Sequence, residues 1–282
     1  MPLAVALVVI QGPALVDVGR VTAVYWPGHQ AAAVTYAEMA DRAGDWPGLP
    51  SVGSHPVRLI VVASPRRFDS LTRGRIPEWG HAAAVPATNT IILQTGPDAP
   101  QVLRHELAHL ALHHALRRVP LWLDEGYASR AAGEWGRLDA LRVNWALVLH
   151  RPPSLADVNR GLRAGRARAG AAYAFATTAV LSLERLGGDR GLEPILSALA
   201  ATNDIDQALR RAYGLTLDGF EERWRRELRS RYGWLSLGSS FSIFWALVLG
   251  LTGLLWVRRR RRNRTRREAL NDGWTLPDPP AS

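Results

Sequence analysis

The sequence predicts an α+β domain, a small N-terminal β-sheet with one helix followed by a mostly helical half, and then a C-terminal transmembrane helix. Three observations carry that fold class. Short β-branched runs bounded by Gly and Pro fill the stretch before Asp98. Helical apolar spacing takes over after it. An uncharged run, Leu235–Val257, stands near the end of the chain.

Residues 1–16 open with Pro2–Ile10 (PLAVALVVI), apolar enough for the core of a signal peptide. No basic residue precedes Arg20 and no small-x-small cleavage site follows, so a first strand is an equal reading. Val21–Tyr25 and Val57–Val62 are the next strands, with Ala31–Arg42 as the helix crossing between them. Ala82–Val85 and Thr90–Leu93 flank Pro86-Ala87-Thr88-Asn89 and read as a hairpin. Helices are expected over Gln101–Arg117, Leu123–Gly133, Leu138–Leu149, Ala171–Leu186, Leu192–Ala200, Ile205–Tyr213 and Leu217–Tyr232, closing a domain at 17–233. Arg160–Arg168 (RGLRAGRAR) reads as a solvated loop.

The run 235–257 is long enough to cross about 30 Å of hydrocarbon with modest tilt. Trp234 and Trp256 stand where an interfacial aromatic belt would be. Arg258–Arg262 follow at once. Basic flanks stay on the cytoplasmic side, so the large domain is expected to be extracytoplasmic and residues 258–282 to form a basic, disordered cytoplasmic tail. The membrane bilayer is thus one expected partner.

With 282 residues the chain can hold one sizeable domain plus accessories. It contains no cysteine, which excludes disulfides, thiolate-held metals, iron–sulfur clusters and thiol catalysis. The net charge of +10 hints at nucleic acid, but eight Arg against Glu268, Asp272 and Asp278 leave +5 in the tail and only +5 in all the rest. No recognition helix or aromatic–basic interleaving accompanies it, so no nucleic-acid partner is expected.

The chemistry concentrates in Leu103-Arg104-His105-Glu106-Leu107-Ala108-His109-Leu110. Asp98 can cap this helix and Pro100 suits its first turn. Side chains four apart share a helix face, about 5–6 Å apart at Cβ. His105 and His109 can therefore bring two imidazole nitrogens to one zinc ion. Glu106 projects beside the metal, where it can take a proton from the attacking water, the role of that position in H-E-x-x-H. With eight His and eleven Glu in the chain, chance supplies such a pentapeptide about 0.01 times. A catalytic zinc usually has three protein ligands. The candidate third is Glu125, in Pro120-Leu-Trp-Leu-Asp-Glu-Gly-Tyr-Ala128, after Pro120 has ended the first helix and turned the chain. Gly126 beside it permits a close approach of backbones.

H-E-L-A-H followed by P-L-W-L-D-E-G-Y-A resembles the gluzincins, in particular peptidase MA-like families with an H-E-x-x-H … E-x-x-A arrangement. The likeness runs loosely from Val21 to about Leu228. It implies a gluzincin-like fold, a zinc cofactor held by His105, His109 and Glu125, and a peptide or protein substrate. One departure is Ser129 four residues after Glu125, where thermolysin-type members carry a carboxylate that orients a ligand. Asp124 could orient a ligand histidine instead, although a carboxylate near a helix start more often satisfies backbone amides. His113 lies about 12 Å along the helix from His105, too far to join the same ion. With His114 it reads as a cation near the helix C-terminus. Tyr173 is the candidate oxyanion donor, its commoner alternative being a core tyrosine.

These readings converge on a membrane-anchored zinc metallopeptidase with Glu106 as general base, the strand Ile91–Leu93 aligning an extended substrate. The rival is a membrane-anchored zinc-containing binding or scaffolding module without peptidase activity. An intact Glu106 argues against the rival, because a structural site needs no base there.

Overall fold

The computed structural model describes residues 12–50, 55–73, 81–164, 166–232 and 245–260. The chain divides into two compact units, Met1–Tyr232 and Gly233–Ser282. Pro2–Ile10 and the tail beyond residue 260 lie outside the described residues.

The first unit begins with β1 (Ala14–Val18) and β2 (Val21–Tyr25), joined by a tight turn in which Gly19 takes φ 54°. Helix α1 (Gln30–Arg42) crosses to β3 (Val57–Val62), which lies parallel to β2. Helix α2 (Pro65–Thr72) leads to β4 (Ala82–Val85), a 3₁₀ turn at Pro86–Thr88, and β5 (Thr90–Gln94). The sheet order is β1-β2-β3-β5-β4. Strand β5 runs parallel to β3 and antiparallel to β4, so the hairpin is present. This corrects one expectation. With partners on both sides, the amides and carbonyls of Ile91–Leu93 are already used, so that strand cannot align a substrate. Among the described residues the open strand on this side is β4.

One sheet face, with Val21, Ala23, Leu59, Val61, Ile91 and Leu93, joins the main core under α1 and the helical half. The other face buries Val62, Ala83 and Ile92 against Phe68 of α2. β1 and α2 escaped the sequence reading because each is short and mostly exposed, so few apolar residues mark it.

The helical half comprises α3 (Ala99–Ala115), α4 (Leu121–Ala131), α5 (Arg137–Leu149), α6 (Leu155–Arg163), α7 (Arg166–Leu186), α8 (Glu193–Thr202), α9 (Ile205–Tyr213) and α10 (Leu217–Tyr232). Most of the expected loop Arg160–Arg168 is helical. Ser154 and Asp157 form a reciprocal capping box at the start of α6, which buries Leu155 and Val158. Asp98 stands at the N-cap of α3 but makes no side-chain capping bond.

In the second unit, residues 245–260 are helical and expose Leu247, Leu249, Leu251, Leu254 and Leu255. Sixteen residues rise only about 24 Å. Among the described residues, no helix is long and apolar enough to cross a membrane. The remainder of the expected span, 235–244, lies outside them.

Candidate metal centre

Helix α3 buries Leu103, Leu107, Leu110 and Ala111 in the core and turns His105, Glu106 and His109 to the opposite side. Helix α4 returns after Pro120. Its first-turn amide at Trp122 donates to Asn159 Oδ1 of α6 at 2.9 Å, and Arg130 grips Glu184 of α7 through two bonds of 2.8 and 2.9 Å. Gly126 lies against α7 so closely that a Cβ there would stand 2.5 Å from the Ala176 carbonyl oxygen. The close approach at Gly126 is made to the backbone of α7, where the sequence suggests an approach to the metal helix. These contacts fix Glu125 opposite the two histidines.

The ring centroids of His105 and His109 are 4.9 Å apart. Their Nε2 atoms lie 3.6 and 3.7 Å from one oxygen, Oε2 of Glu125. Tetrahedral ligands bonded at 2.0–2.1 Å sit about 3.4 Å from one another, so both histidine–glutamate separations stand within a few tenths of the spacing that an ion requires, and all three donor atoms lie within 4.8 Å of one another.

The outward nitrogens are also held. His109 Nδ1 is 2.7 Å from Asp124 Oδ1, and His113 Nε2 is 2.8 Å from Asp124 Oδ2. His105 Nδ1 is 3.0 Å from Glu134 Oε1. His105 and His109 are thus each oriented by a carboxylate through Nδ1, leaving Nε2 for the ion, which is the arrangement metal-ligating histidines usually have. Of the two readings of Asp124 the less expected one holds, since it orients a candidate ligand histidine, and the reading of His113 is corrected. Asp124 grips two histidines instead of capping α4 with its side chain, and His113 braces Asp124 instead of serving as a free cation. His109, His113 and Asp124 could also hold a metal by proximity, but their facing atoms are already bonded to one another.

Glu134 was missed. The carboxylate absent at Ser129 is supplied nine residues beyond Glu125. Gly133, at φ 70°, reverses the chain after α4, and the Glu134 amide bonds back to the Ser129 carbonyl at 3.0 Å. The Ser129 hydroxyl lies beside the Glu134 carboxylate and helps to hold it ionised. The only signal in the sequence was a helix-ending Gly followed by an acid.

The electrostatics favour a cation. Burial opposes charge on His105, yet Glu125 and Glu134 outweigh it and hold its pKa up at about 10. His109 is likewise raised, its burial outweighed mainly by Asp124. Burial would lift Asp124, but His109 and His113 hold its carboxyl well below the usual carboxylate range. Burial pushes the Glu106 carboxyl up, against the pull of His109, His105 and the Ala84 amide. Tyr173 of α7 is half-buried at the same cleft, with its hydroxyl beside Glu125. Burial first, and then Glu125, push its phenol up.

The cleft, about 780 Å³, is lined by Ala82–Ala84 of β4 on one side, by Leu162–Ala164 on another, and by Glu106, Glu125 and Tyr173. A family model of the peptidase MA superfamily matches residues 53–230. The chain belongs to the peptidase MA superfamily. A solved structure of a two-domain M1 zinc metallopeptidase mutant bound to L-tryptophan is also similar, at 17% identity and a TM-score of 0.40. The match covers 76% of this chain and 51% of that one, so the chain spans about half the length of that protein. No curated protein matches. Within this peptidase MA chain, two imidazole nitrogens and one carboxylate oxygen facing one point form a donor set suited to zinc.

Proposed function

We propose that the chain is a zinc-dependent metallopeptidase. The observation that carries this reading is the convergence of His105 Nε2, His109 Nε2 and Glu125 Oε2 beside the buried carboxyl of Glu106. His105, His109 and Glu125 would hold the metal, and zinc when bound supplies Lewis-acid polarisation of the scissile carbonyl and acidification of water. Everything else is done by this chain's own side chains. Glu106 takes the proton of the attacking water on its carboxylate and passes it to the leaving amine. Burial lifts its pKa towards the range in which a base works near neutrality. The outer edge of β4 has no strand partner among the described residues and lies beside the site, so it is suited to pair with an extended peptide, with the Ala84 amide already turned to Glu106. Tyr173, which lines the same cleft, is the candidate donor to the oxygen that becomes anionic as the carbonyl is attacked, a role in which its hydroxyl would turn from Glu125 to the substrate.

The reading includes a membrane anchor at 235–257, with the catalytic unit extracytoplasmic and the tail from Arg258 cytoplasmic. Its supports are the uncharged length of that run, its Trp residues and the arginines behind it. A reporter fused after Ser282 tests the orientation. Activity of that reporter only outside the cell overturns it.

Glu106→Gln tests the chemistry, because Glu106 adjoins a ligand without being one. The variant should keep zinc and fold while hydrolysis of a peptide library falls by about 10²–10⁴-fold. Equal cleavage by both proteins refutes the mechanism. If both hold zinc and neither cleaves any peptide, the chain is a binding module.

A further inference from the structure

Helix α5 is attached to the domain by one side only. Val143 and Asn144 are buried, and Ala146 and Leu147 pack on the core. On the other side Leu138, Leu141, Trp145 and Leu149 are 69, 53, 66 and 58% exposed. At 3.6 residues per turn these four fall within about 80° of arc, a continuous stripe and not scattered apolar residues. The exposed residues Arg137, Arg142 and Arg151 rim it, and the helix's one acid, Asp139, is paired with Arg142 at 2.8 Å.

The occupant of the stripe is argued from where the chain goes next. Helix α5 packs beside α10, and the ring of Trp135, just before α5, meets that of Tyr232, the last residue of α10, at 6.0 Å. Only Gly233 and Trp234 separate Tyr232 from the proposed membrane anchor, a link that can stretch no more than about 10 Å. On the anchoring reading, the start of α5 would lie within reach of a bilayer surface. An apolar stripe of Leu and Trp edged with guanidinium groups has the composition of a helix lying in a lipid interface, with the arginines on anionic headgroups.

We propose that the exposed face of α5 docks on the surface of an anionic lipid bilayer, a second attachment beside the transmembrane anchor. The inference rests in part on the anchoring reading, and the experiment separates the two. The chain has no cysteine, so Trp145→Cys places one thiol-reactive, environment-sensitive dye on the stripe, and Thr35→Cys on α1 serves as control. The labelled full chain is reconstituted into phosphatidylcholine–phosphatidylglycerol vesicles with or without spin-labelled quencher lipid. The dye at 145 should shift to the blue and be quenched, the dye at 35 should do neither, and Leu138→Glu with Leu141→Glu in the same chain should abolish both changes. Circular dichroism confirms that each variant is folded.

Alkaline carbonate extraction of the same vesicles reports the anchor independently. A carbonate-resistant chain with an unquenched 145 dye overturns the docking and spares the anchor. An extractable chain with a quenched dye supports docking while the anchoring reading falls. An extractable chain with an unquenched dye overturns both. A blue shift that needs no lipid and grows with protein concentration assigns the stripe to a second copy of the chain, and so overturns the proposal.

Discussion

Removing the charge of Glu134 should weaken zinc binding in a graded way. Glu134 accepts from His105 Nδ1 at 3.0 Å, with the two side chains 32% and 13% exposed. Gln at this position keeps an acceptor oxygen but loses the charge. Hydrogen bonds to charged groups contribute about 1.5–3 kcal/mol and neutral ones about 0.5–1.5. The loss is therefore about 1–1.5 kcal/mol, close to tenfold in Kd at about 1.4 kcal/mol per decade. Glu134→Ala removes the acceptor as well. Outer carboxylates of metal-bound histidines are typically worth about 10–100-fold in affinity, and water can partly replace this half-buried one, so about hundredfold is the ceiling for Ala. Ser129→Ala, which removes only the hydroxyl that steadies Glu134, should cost less than either. Competition against a chromophoric chelator at fixed pH measures all four proteins. If Glu134→Gln and Glu134→Ala bind zinc as tightly as the parent, the carboxylate does not hold the ligand and the reasoning fails.

Gly126→Ala would put a Cβ 2.5 Å from the Ala176 carbonyl oxygen and 2.7 Å from its carbonyl carbon, backbone contacts that no rotamer can relieve. Overpacking of this kind should cost about 1–3 kcal/mol in denaturant unfolding, and zinc affinity should fall with it because Glu125 is the adjacent residue. Tyr173→Phe should lower kcat by about 10²–10³-fold if the hydroxyl stabilises the oxyanion. A variant with unchanged kcat returns Tyr173 to a packing role. Glu227 ties α10 to α7 through Arg185 at 2.6 Å and Ser182 Oγ at 2.7 Å, and Arg231 of its own helix adds a bond of 2.8 Å. Burial opposes its charge, but these partners outweigh it and depress the carboxyl below the ordinary 4.5. A group depressed on folding stabilises above its unfolded value and loses that contribution as pH falls through the folded one. Glu227→Gln should therefore lower unfolding stability at pH 7 by about 1–3 kcal/mol, and by progressively less below pH 4.5. A difference that stays the same at pH 3 would refute the ionic account.

What could be read from the sequence was what depends on neighbours along the chain. The expected helices Ile205–Tyr213 and Leu217–Tyr232 match α9 and α10 residue for residue, because apolar spacing and caps are local signals. His105 and His109 share a face because a helix forces it, and Glu125 was reachable because a proline and a short return limit where the next helix can go. Glu134 was not legible. It meets His105 across 29 residues of chain, and only the reversal at Gly133 brings it back. The grip of Asp124 on His109 and His113 needs the crossing of α3 and α4, which no periodicity encodes. The error over Ile91–Leu93 had a similar cause, since strand order, and hence which strand is left open, is decided by pairings distant in sequence.

Helix α4 is therefore where the fold becomes a site. Helix α3 presents two imidazoles on one face by its own geometry, but two nitrogens on a helix are half of a metal centre. Three residues of α4 complete the arrangement. Asp124 turns His109, Glu125 faces both Nε2 atoms, and Ser129 steadies the carboxylate that turns His105. None of the three is held by α3 alone. Their positions come from α6 and α7, through Asn159 on the Trp122 amide, Ala176 against Gly126 and Glu184 on Arg130. The third donor is thus delivered by the packed helical half, which makes metal affinity a property of that half's folding as well as of the H-E-x-x-H helix. An ion bound by the folded chain and not by the unfolded one returns the coupling, stabilising the fold by about 4 kcal/mol at a thousand times its Kd.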